Sequence, residues 1–354
     1  MVRVRESLMV GVAAWTLFVG VICQSALGRD VKLTIYPQKV SADAGKYLLL
    51  PPPASLTDAD ALPLYDKAIK ALPSKATDNQ VQRYLKMSIN ELPTDKAEQT
   101  LKAYVESLKY VAQAAKCREC KWPASLVGAA ANEPAYARLG WALRLWAHCE
   151  ISQGNHAGAV LAMQTTMGMG KHLSHGPNEM QFLTAVGTTA AMCREIEGFV
   201  QTEDSPNLYV ALAALPRLTP DAEKIMDSEK KTLAKFRLSE PPTGMTRVQF
   251  ESELKQAEDR LKDLPGRLHF LAKRFDRDLT LLQSVEAIRS YAASHEGQLP
   301  QTLAEITEIS VPKDPMSGQA FRYTRTGATA VLESPTPAGS SKEDAVRYEI
   351  TVKK

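Results

Sequence analysis

Two pairs of side chains have residue types and spacings that occur in metal or redox sites. Cys117 and Cys120 form a CxxC, and His172 and His175 form an HxxH. Together they would supply the two thiolates and two imidazoles of a tetrahedral zinc site. The histidine spacing is shorter than usual for zinc, and the two pairs are far apart in sequence. We therefore favour the alternative that both histidines bond terminal carbonyls at the end of a helix.

The CxxC does not have the surroundings of a redox or haem site. A redox pair normally places its nucleophilic cysteine at a helix N-terminus, whereas this one is predicted to follow a helix. Lys121 replaces the histidine that a c-type haem attachment requires. Once a leader containing Cys23 is removed, four cysteines remain, an even number in a compartment that permits disulfides. These four cysteines are Cys117, Cys120, Cys149 and Cys193. They are predicted to be structural disulfides or buried thiols, and four cysteines allow three different pairings.

Other catalytic patterns are missing from the sequence. It contains no nucleophile elbow, phosphate loop, dinucleotide fingerprint, zinc-protease helix or EF-hand loop. The pairs Glu195/Glu197 and Asp276/Asp278 have i,i+2 spacing, so their members do not share a helix face. We interpret them as solvated side chains. The sequence predicts no catalytic residue, no cofactor and no metal beyond the zinc alternative.

The first 28 residues have the pattern of a signal peptide. Arg3 and Arg5 precede an uncharged apolar run from Leu8 to Ile22, and Ala26-Leu27-Gly28 offers small residues at the positions that a signal peptidase recognises. The run is short for a bilayer span, which needs about 20 apolar residues. We expect cleavage after Gly28 and export to the periplasm or the extracellular space. A retained anchor is the alternative, and after leader removal we expect no stable membrane span.

Composition narrows the class of protein further. The chain has 354 residues and a formal net charge of +3, with no block of basic residues. Binding to nucleic acid is therefore not expected. The length suggests two domains as a soft expectation. We predict a helical array over residues 29–240, with a short extended segment at its start, and a second unit over residues 247–354.

Helical periodicity dominates the first predicted domain. Residues from Thr94 to Ala115 place apolar side chains on one face at steps of three and four, which predicts one amphipathic helix. Pro134 to Ser152 and His156 to Leu173 flank a Gly-Asn turn and predict an antiparallel helical hairpin. This hairpin is similar to one tetratricopeptide-type (TPR-like) helical pair. We find no repeat at a fixed period, so the expected architecture is an irregular helical array.

The second predicted domain ends in a small α+β module. A long helix, roughly Leu268 to Ser294, is followed by Gly297, a residue able to end it with positive φ. Phe321 and Tyr323 alternate with polar residues as on a half-buried strand, and later segments alternate again. The prediction is one long helix packed on a small antiparallel sheet.

The residues of this module resemble a known family. Gly297-Gln298-Leu299-Pro300, Val311-Pro312-Lys313-Asp314-Pro315 and Phe321-Arg322-Tyr323 are similar to the C-terminal domain of type II secretion major pseudopilins. The resemblance covers the last quarter of the chain and implies a helix-on-sheet fold. It departs from the family at two places. The leader is followed by the polar Arg29-Asp30, and the stretch from Ser334 to Ser341 lacks the carboxylates of the pseudopilin calcium loop.

The middle of the chain carries a second resemblance. Cys120-Lys121-Trp122, Lys171-His172-Leu173 and the segment from Asn207 to Pro216 are similar to a family of uncharacterised exported planctomycete proteins. This resemblance implies export and architecture alone. The favoured function is a non-enzymatic interaction or scaffold protein of the cell envelope, with an unknown envelope partner; a secretion or pilus-like assembly is the candidate. The alternative is an exported hydrolase, with or without zinc, whose site is assembled from distant residues.

Overall fold

The computed structural model describes residues 29–41, 44–123, 132–334, 336 and 345–353. Within these ranges the chain forms eleven α-helices, 58% helix in all, and a small C-terminal mixed sheet of four strands. This confirms the prediction of a mainly helical protein with a small sheet at its end. The predicted signal peptide lies outside the described residues, as does most of the stretch compared with the calcium loop.

Eight helices form the first half of the described chain. The predicted single helix from Thr94 to Ala115 is in fact two helices, because the backbone turns at Ala103 and Tyr104. The turn directs the buried Tyr104 hydroxyl to Asp78, to which it donates a hydrogen bond of 2.6 Å. The helices are α1 Leu62–Lys70, α2 Lys75–Tyr84, α3 Thr94–Lys102, α4 Val105–Ala114, α5 Glu133–Ser152, α6 His156–Ser174, α7 Glu179–Phe199 and α8 Tyr209–Ala213.

The predicted hairpin corresponds to α5 and α6, and α7 packs against both. Gly154 has a φ of +70° in the connecting turn, and the Asn155 side chain caps α6 by accepting from Gly158 N. Glycines allow α7 to come close. A Cβ added to Gly140 of α5 would lie 2.5 Å from Thr188 Cγ2, and one added to Gly170 of α6 would lie 2.3 Å from Thr189 Cγ2. The likeness to a TPR unit stays a prediction.

The second half contains three further helices, α9 Ala222–Arg237, α10 Arg247–Lys262 and α11 Leu264–Ser294. The last begins four residues earlier than predicted, because Pro265 is tolerated in a first turn where no intrahelical N–H bond is needed. Thr246 caps α10 through a capping box with Gln249. Gly297, with a φ of +75°, ends α11 by donating to Ala292 O at 2.8 Å.

The sheet is mixed rather than antiparallel, which corrects the sequence-based expectation. Strands β4 Arg322–Thr326, β5 Thr329–Ser334 and β6 Val346–Val352 pair antiparallel as predicted. Strand β1 Arg29–Ile35 adds to the edge in parallel with β6, giving the order β1-β6-β5-β4. A parallel pair needs a long crossover connection, and here the whole helical array supplies it. Two short strands, β2 Thr57–Asp60 and β3 Cys117–Glu119, form a separate parallel pair.

One hydrophobic cluster extends from the helices into the sheet. It contains Leu33 of β1, Phe182 of α7, Ile288 of α11 and Ile350 of β6, all fully buried. A smaller cluster lies among α2, α3 and α5. The predicted boundary near residue 240 stays a prediction, although β1 pairs across it. Over the described ranges, no helix combines the length and the apolar character that a membrane span requires.

Candidate functional site

The two chemically suggestive pairs of the sequence meet at His172. Its ring lies in α6, and its Nε2–H donates to the carbonyl oxygen of Cys117 in β3 at 3.0 Å. The Tyr65 hydroxyl donates to His172 Nδ1 at 2.8 Å. The carbonyl oxygen can only accept, so His172 carries a hydrogen on Nε2, and the neutral ring accepts from Tyr65 at Nδ1. Burial agrees with that state, since it lowers the pKa of His172 to about 4.

These contacts favour the structural interpretation of the histidines over zinc. Both ring nitrogens of His172 are occupied, so neither is available to a metal in this arrangement. His175 Nδ1 donates to Lys171 O at 2.7 Å, a helix C-terminal contact of the kind that was predicted. Among the described residues, no group of three or more histidine, cysteine or acidic side chains could hold a metal ion. The zinc set of Cys117, Cys120, His172 and His175 stays a prediction.

The four cysteines are free thiols in the described structure. Cys117 starts an extended strand, not a helix, so no helix dipole stabilises a thiolate there. Burial raises the pKa of Cys120, with Asp60 adding to the effect, and burial raises the pKa of Cys149 to about 12. Cys193 is buried in α7 and its pKa is also raised. These environments disfavour thiolate chemistry, while the disulfide pairings stay predictions.

Sequence analysis missed a buried ionic network between α5 and α7. Glu195 Oε1 accepts from Arg144 Nε and Glu195 Oε2 accepts from His148 Nδ1, both at 2.6 Å. His148 Nε2 is buried and has no hydrogen-bond partner in the described part of the chain. Burial by itself would raise the pKa of Glu195, but Arg144 and His148 outweigh it, so the pKa is lowered. The network fixes the packing of α5 on α7.

A second network joins α7 to the sheet. Glu197 accepts a hydrogen bond of 2.6 Å from the Tyr348 hydroxyl of β6 and forms an ion pair with Arg29 of β1. Burial raises the pKa of Glu197 in spite of Arg29, and the nearby Asp278 adds to the rise. The expectation that Glu195 and Glu197 are solvated is therefore wrong. Their i,i+2 spacing points them to opposite sides of α7, and both sides are covered.

A third network holds the segments that pass beside α11. Glu286 and Arg289 are both fully buried and pair at 2.8 Å. Arg289 also donates to the carbonyl oxygens of Tyr36 and Ser205, at 3.0 and 2.9 Å. The side chain of Asn207 donates to Glu286 O at 2.9 Å. Apart from the ion pair, each of these bonds is accepted by a backbone carbonyl, so this network has a structural role.

A surface groove lies between α9 and α10. It is a groove of about 390 Å³ whose apolar lining comes from Met226, Leu233, Ala234 and Leu261. Its polar lining is entirely charged and contains no histidine, serine, threonine or tyrosine. The charged residues are Lys230, Arg237, Glu258 and Lys262. Such a lining suits binding by burial and charge pairing.

A smaller cavity of about 150 Å³ lies where α11 ends and the C-terminal module begins. Its lining includes Tyr291, His295, Glu305 and Glu308. The rings of Tyr291 and His295 stack 3.7 Å apart, and His295 Nδ1 donates to Tyr291 O at 2.8 Å. Burial raises the pKa of the Tyr291 hydroxyl, with Glu305 adding to the effect. This cavity brings a histidine, carboxylates and a hydroxyl together without a histidine–hydroxyl hydrogen bond.

One signal for the groove was present in the sequence and was not used. Met226, Leu233 and Ala234 recur at helical spacing on α9. Lys230 and Lys231 interrupt this apolar stripe, so the sequence pattern indicates a solvent-exposed helix. The partner residue Leu261 lies 27 positions after Ala234, so only the fold shows that they line one surface.

In comparisons with known proteins, no family model, no curated protein and no solved structure matches the chain.

Proposed function

We propose that this chain is an exported, non-enzymatic interaction protein of the cell envelope that binds a partner protein through the α9–α10 groove. The observation that carries the proposal is the composition of the groove. Its apolar lining would bury a partner's side chains, and its charged rim would fix their orientation. Its lining contains no histidine, serine, threonine or tyrosine.

The weak attachment of this hairpin to the rest of the molecule supports the proposal. In α9 the one buried residue is Ile225, and in α10 the buried residues are Phe250 and Leu254. The last two belong to neither of the two main hydrophobic clusters. Leu238 and Val248, on either side of the connecting loop, are 88% and 79% exposed. An amphipathic hairpin with so little buried surface gains stability from a partner.

The envelope assignment draws on the sequence. The features of residues 1–28 suit export, and the C-terminal quarter resembles a pseudopilin domain. A long helix beside an antiparallel β4-β5-β6 arrangement is compatible with that resemblance. We therefore place the partner in the envelope, with a secretion or pilus-like assembly as the first candidate.

The test is recovery of a partner from native envelope extract with the mature chain as bait. Leu233→Glu puts a charge into the groove, and Thr232→Glu makes the same change on an exposed, non-lining position of α9. We expect a defined partner with the wild-type chain and with Thr232→Glu, and its loss with Leu233→Glu. Identical recoveries from all three chains would contradict the proposal. Circular dichroism checks that the variants remain folded.

The hydrolase alternative is tied to the cavity beside His295. His295 is exposed, and Glu305 Oε2 accepts a hydrogen bond of 3.4 Å from the Tyr291 hydroxyl. Hydrolysis of a chromogenic ester by the mature chain, abolished in His295→Ala, would establish this alternative. Equal rates in both chains would remove it. Metal analysis of the same preparation tests the zinc-dependent form.

A further inference from the structure

We propose that the occupant of the α9–α10 groove is a single amphipathic helix of another protein, about three turns long and flanked by acidic side chains. This inference rests on the interaction function proposed above and specifies the partner's chemistry. Three features of the hairpin lead to it: the spacing of the lining residues, the sign of the rim and the unsuitability of a second copy.

The spacing of the lining residues suits a helix. On α9 the lining residues Met226, Lys230, Leu233 and Arg237 follow at steps of four, three and four. On α10 the lining comes from Glu258, Leu261 and Lys262. Two helix ridges with an apolar groove between them are the surface on which a third helix packs. From Met226 to Arg237 the ridge is about 16 Å long at 1.5 Å per residue, which matches about three helical turns.

The rim of the groove is basic. Arg237 pairs with Glu258 at 2.6 Å, so these two charges neutralise each other within the groove. Lys262 pairs with Asp259 at 2.7 Å, outside the lining. Lys230 has no ion pair within the described ranges. Lys231 and Lys235 of the same helix are also exposed, so the α9 side carries three exposed lysines. Acidic side chains on a bound helix would therefore find cations along the α9 side.

A second copy of the hairpin fits the groove poorly. The two helices together carry nine basic and seven acidic residues, a net charge of +2. An isologous contact brings the same patch of both copies into one interface, so the α9 lysines of both copies would lie within it. Like charges brought together at an interface disfavour the pairing. Charge complementarity therefore selects a heterologous, acidic occupant.

The experiment measures the binding of two designed peptides to the full mature chain by fluorescence anisotropy. Both peptides are 14-residue helices with the same leucine and alanine face, and one has glutamates on its flanks where the other has lysines. We expect the acidic peptide to bind at least about tenfold more tightly at low salt, and the difference to shrink as salt screens the charges. Leu233→Glu should abolish binding of both peptides. Lys230→Glu should remove most of the difference in affinity between the acidic and the basic peptide. Thr232→Glu should bind as wild type.

The possible outcomes separate this inference from the proposed function. Equal affinity for the two peptides, or tighter binding of the basic one, overturns the acidic assignment. Absence of binding by either peptide overturns the helical occupant. A wild-type dimer in light scattering that Leu233→Glu converts to a monomer shows that a second copy fills the groove and also overturns it. The proposed function is judged separately, by whether recovery of an envelope partner depends on Leu233.

Discussion

Glu195 and Glu197 lie two residues apart on α7, yet the pKa of the first is lowered and that of the second is raised. Both carboxyls are buried. Glu195 forms an ion pair with Arg144 and accepts a hydrogen bond from His148, and together these contacts outweigh the cost of burial. Glu197 forms an ion pair with Arg29, but it also lies near Asp278, which adds to the effect of burial. The opposite shifts give the two carboxyls opposite effects on stability as pH changes.

The first prediction concerns Glu195→Gln. A carboxyl with a lowered pKa stabilises the fold above its unfolded value of 4.5, and this contribution is lost as the pH falls through the folded value. The variant also leaves Arg144 buried without its charge partner. We expect the free energy of unfolding at pH 7 to fall by about 3 kcal/mol. The difference between variant and wild type should become smaller below roughly pH 4. Urea unfolding at a series of pH values measures it.

Glu197→Gln is the matched comparison and carries the second prediction. A carboxyl with a raised pKa stabilises the fold when protonated, below pH 4.5, and the contribution is lost as the pH rises through the folded value. Glutamine resembles the protonated form, so the variant should cost clearly less than Glu195→Gln at pH 7. Equal or larger losses in this variant would contradict the assigned directions.

The third prediction concerns His172. Its pKa of about 4 lies below the ordinary value of 6.5, so it stabilises the fold above pH 6.5 and the contribution disappears as the pH falls towards 4. The full effect is on the order of 3 kcal/mol. His172→Gln should flatten the pH dependence of unfolding over this range. If His172→Gln retains the wild-type slope, the buried neutral state of His172 is wrong.

The fourth prediction concerns the fully buried pair Glu286 and Arg289. Arg289→Ala leaves the Glu286 carboxylate unpaired and removes the bonds to two backbone carbonyls. The free energy of unfolding should fall by about 3–5 kcal/mol. Adding Glu286→Gln to this variant removes the unpaired charge and should recover part of the loss. A double variant less stable than Arg289→Ala would argue against the pair as described. Denaturant titration of the three chains provides the data.

The fifth prediction tests the pairing of β1 with the C-terminal strand. Leu33 is fully buried in the main cluster, so Leu33→Ala should lower stability by about 2–5 kcal/mol. Lys32 is exposed on the same strand, and Lys32→Ala should change stability by less than about 0.5 kcal/mol. Amide exchange provides a second readout, because loss of β1 should also reduce protection in β6. Unchanged exchange in Val346–Val352 would contradict the parallel pairing.

The sequence by itself determined the local elements. Periodic apolar residues specified most of the helices, since a helix must bury one face, and Gly297 specified where α11 ends. The alternation around Phe321 and Tyr323 likewise indicated strand β4 and the antiparallel pairing after it. These are properties of a few neighbouring residues, so a sequence pattern carries them.

The tertiary structure alone decided which distant residues meet. Nothing near Arg29 indicates a strand parallel to residues 346–352, and nothing near Glu195 or Glu197 indicates a cation on each side of α7. The same holds for Tyr65 with His172 and for the two ridges of the α9–α10 groove. Each depends on long-range packing, in which the burial of many apolar side chains sets the positions of a few charged ones. From the sequence alone a charged residue on a helix is predicted to be exposed to solvent, because the element that covers it comes from a distant part of the chain.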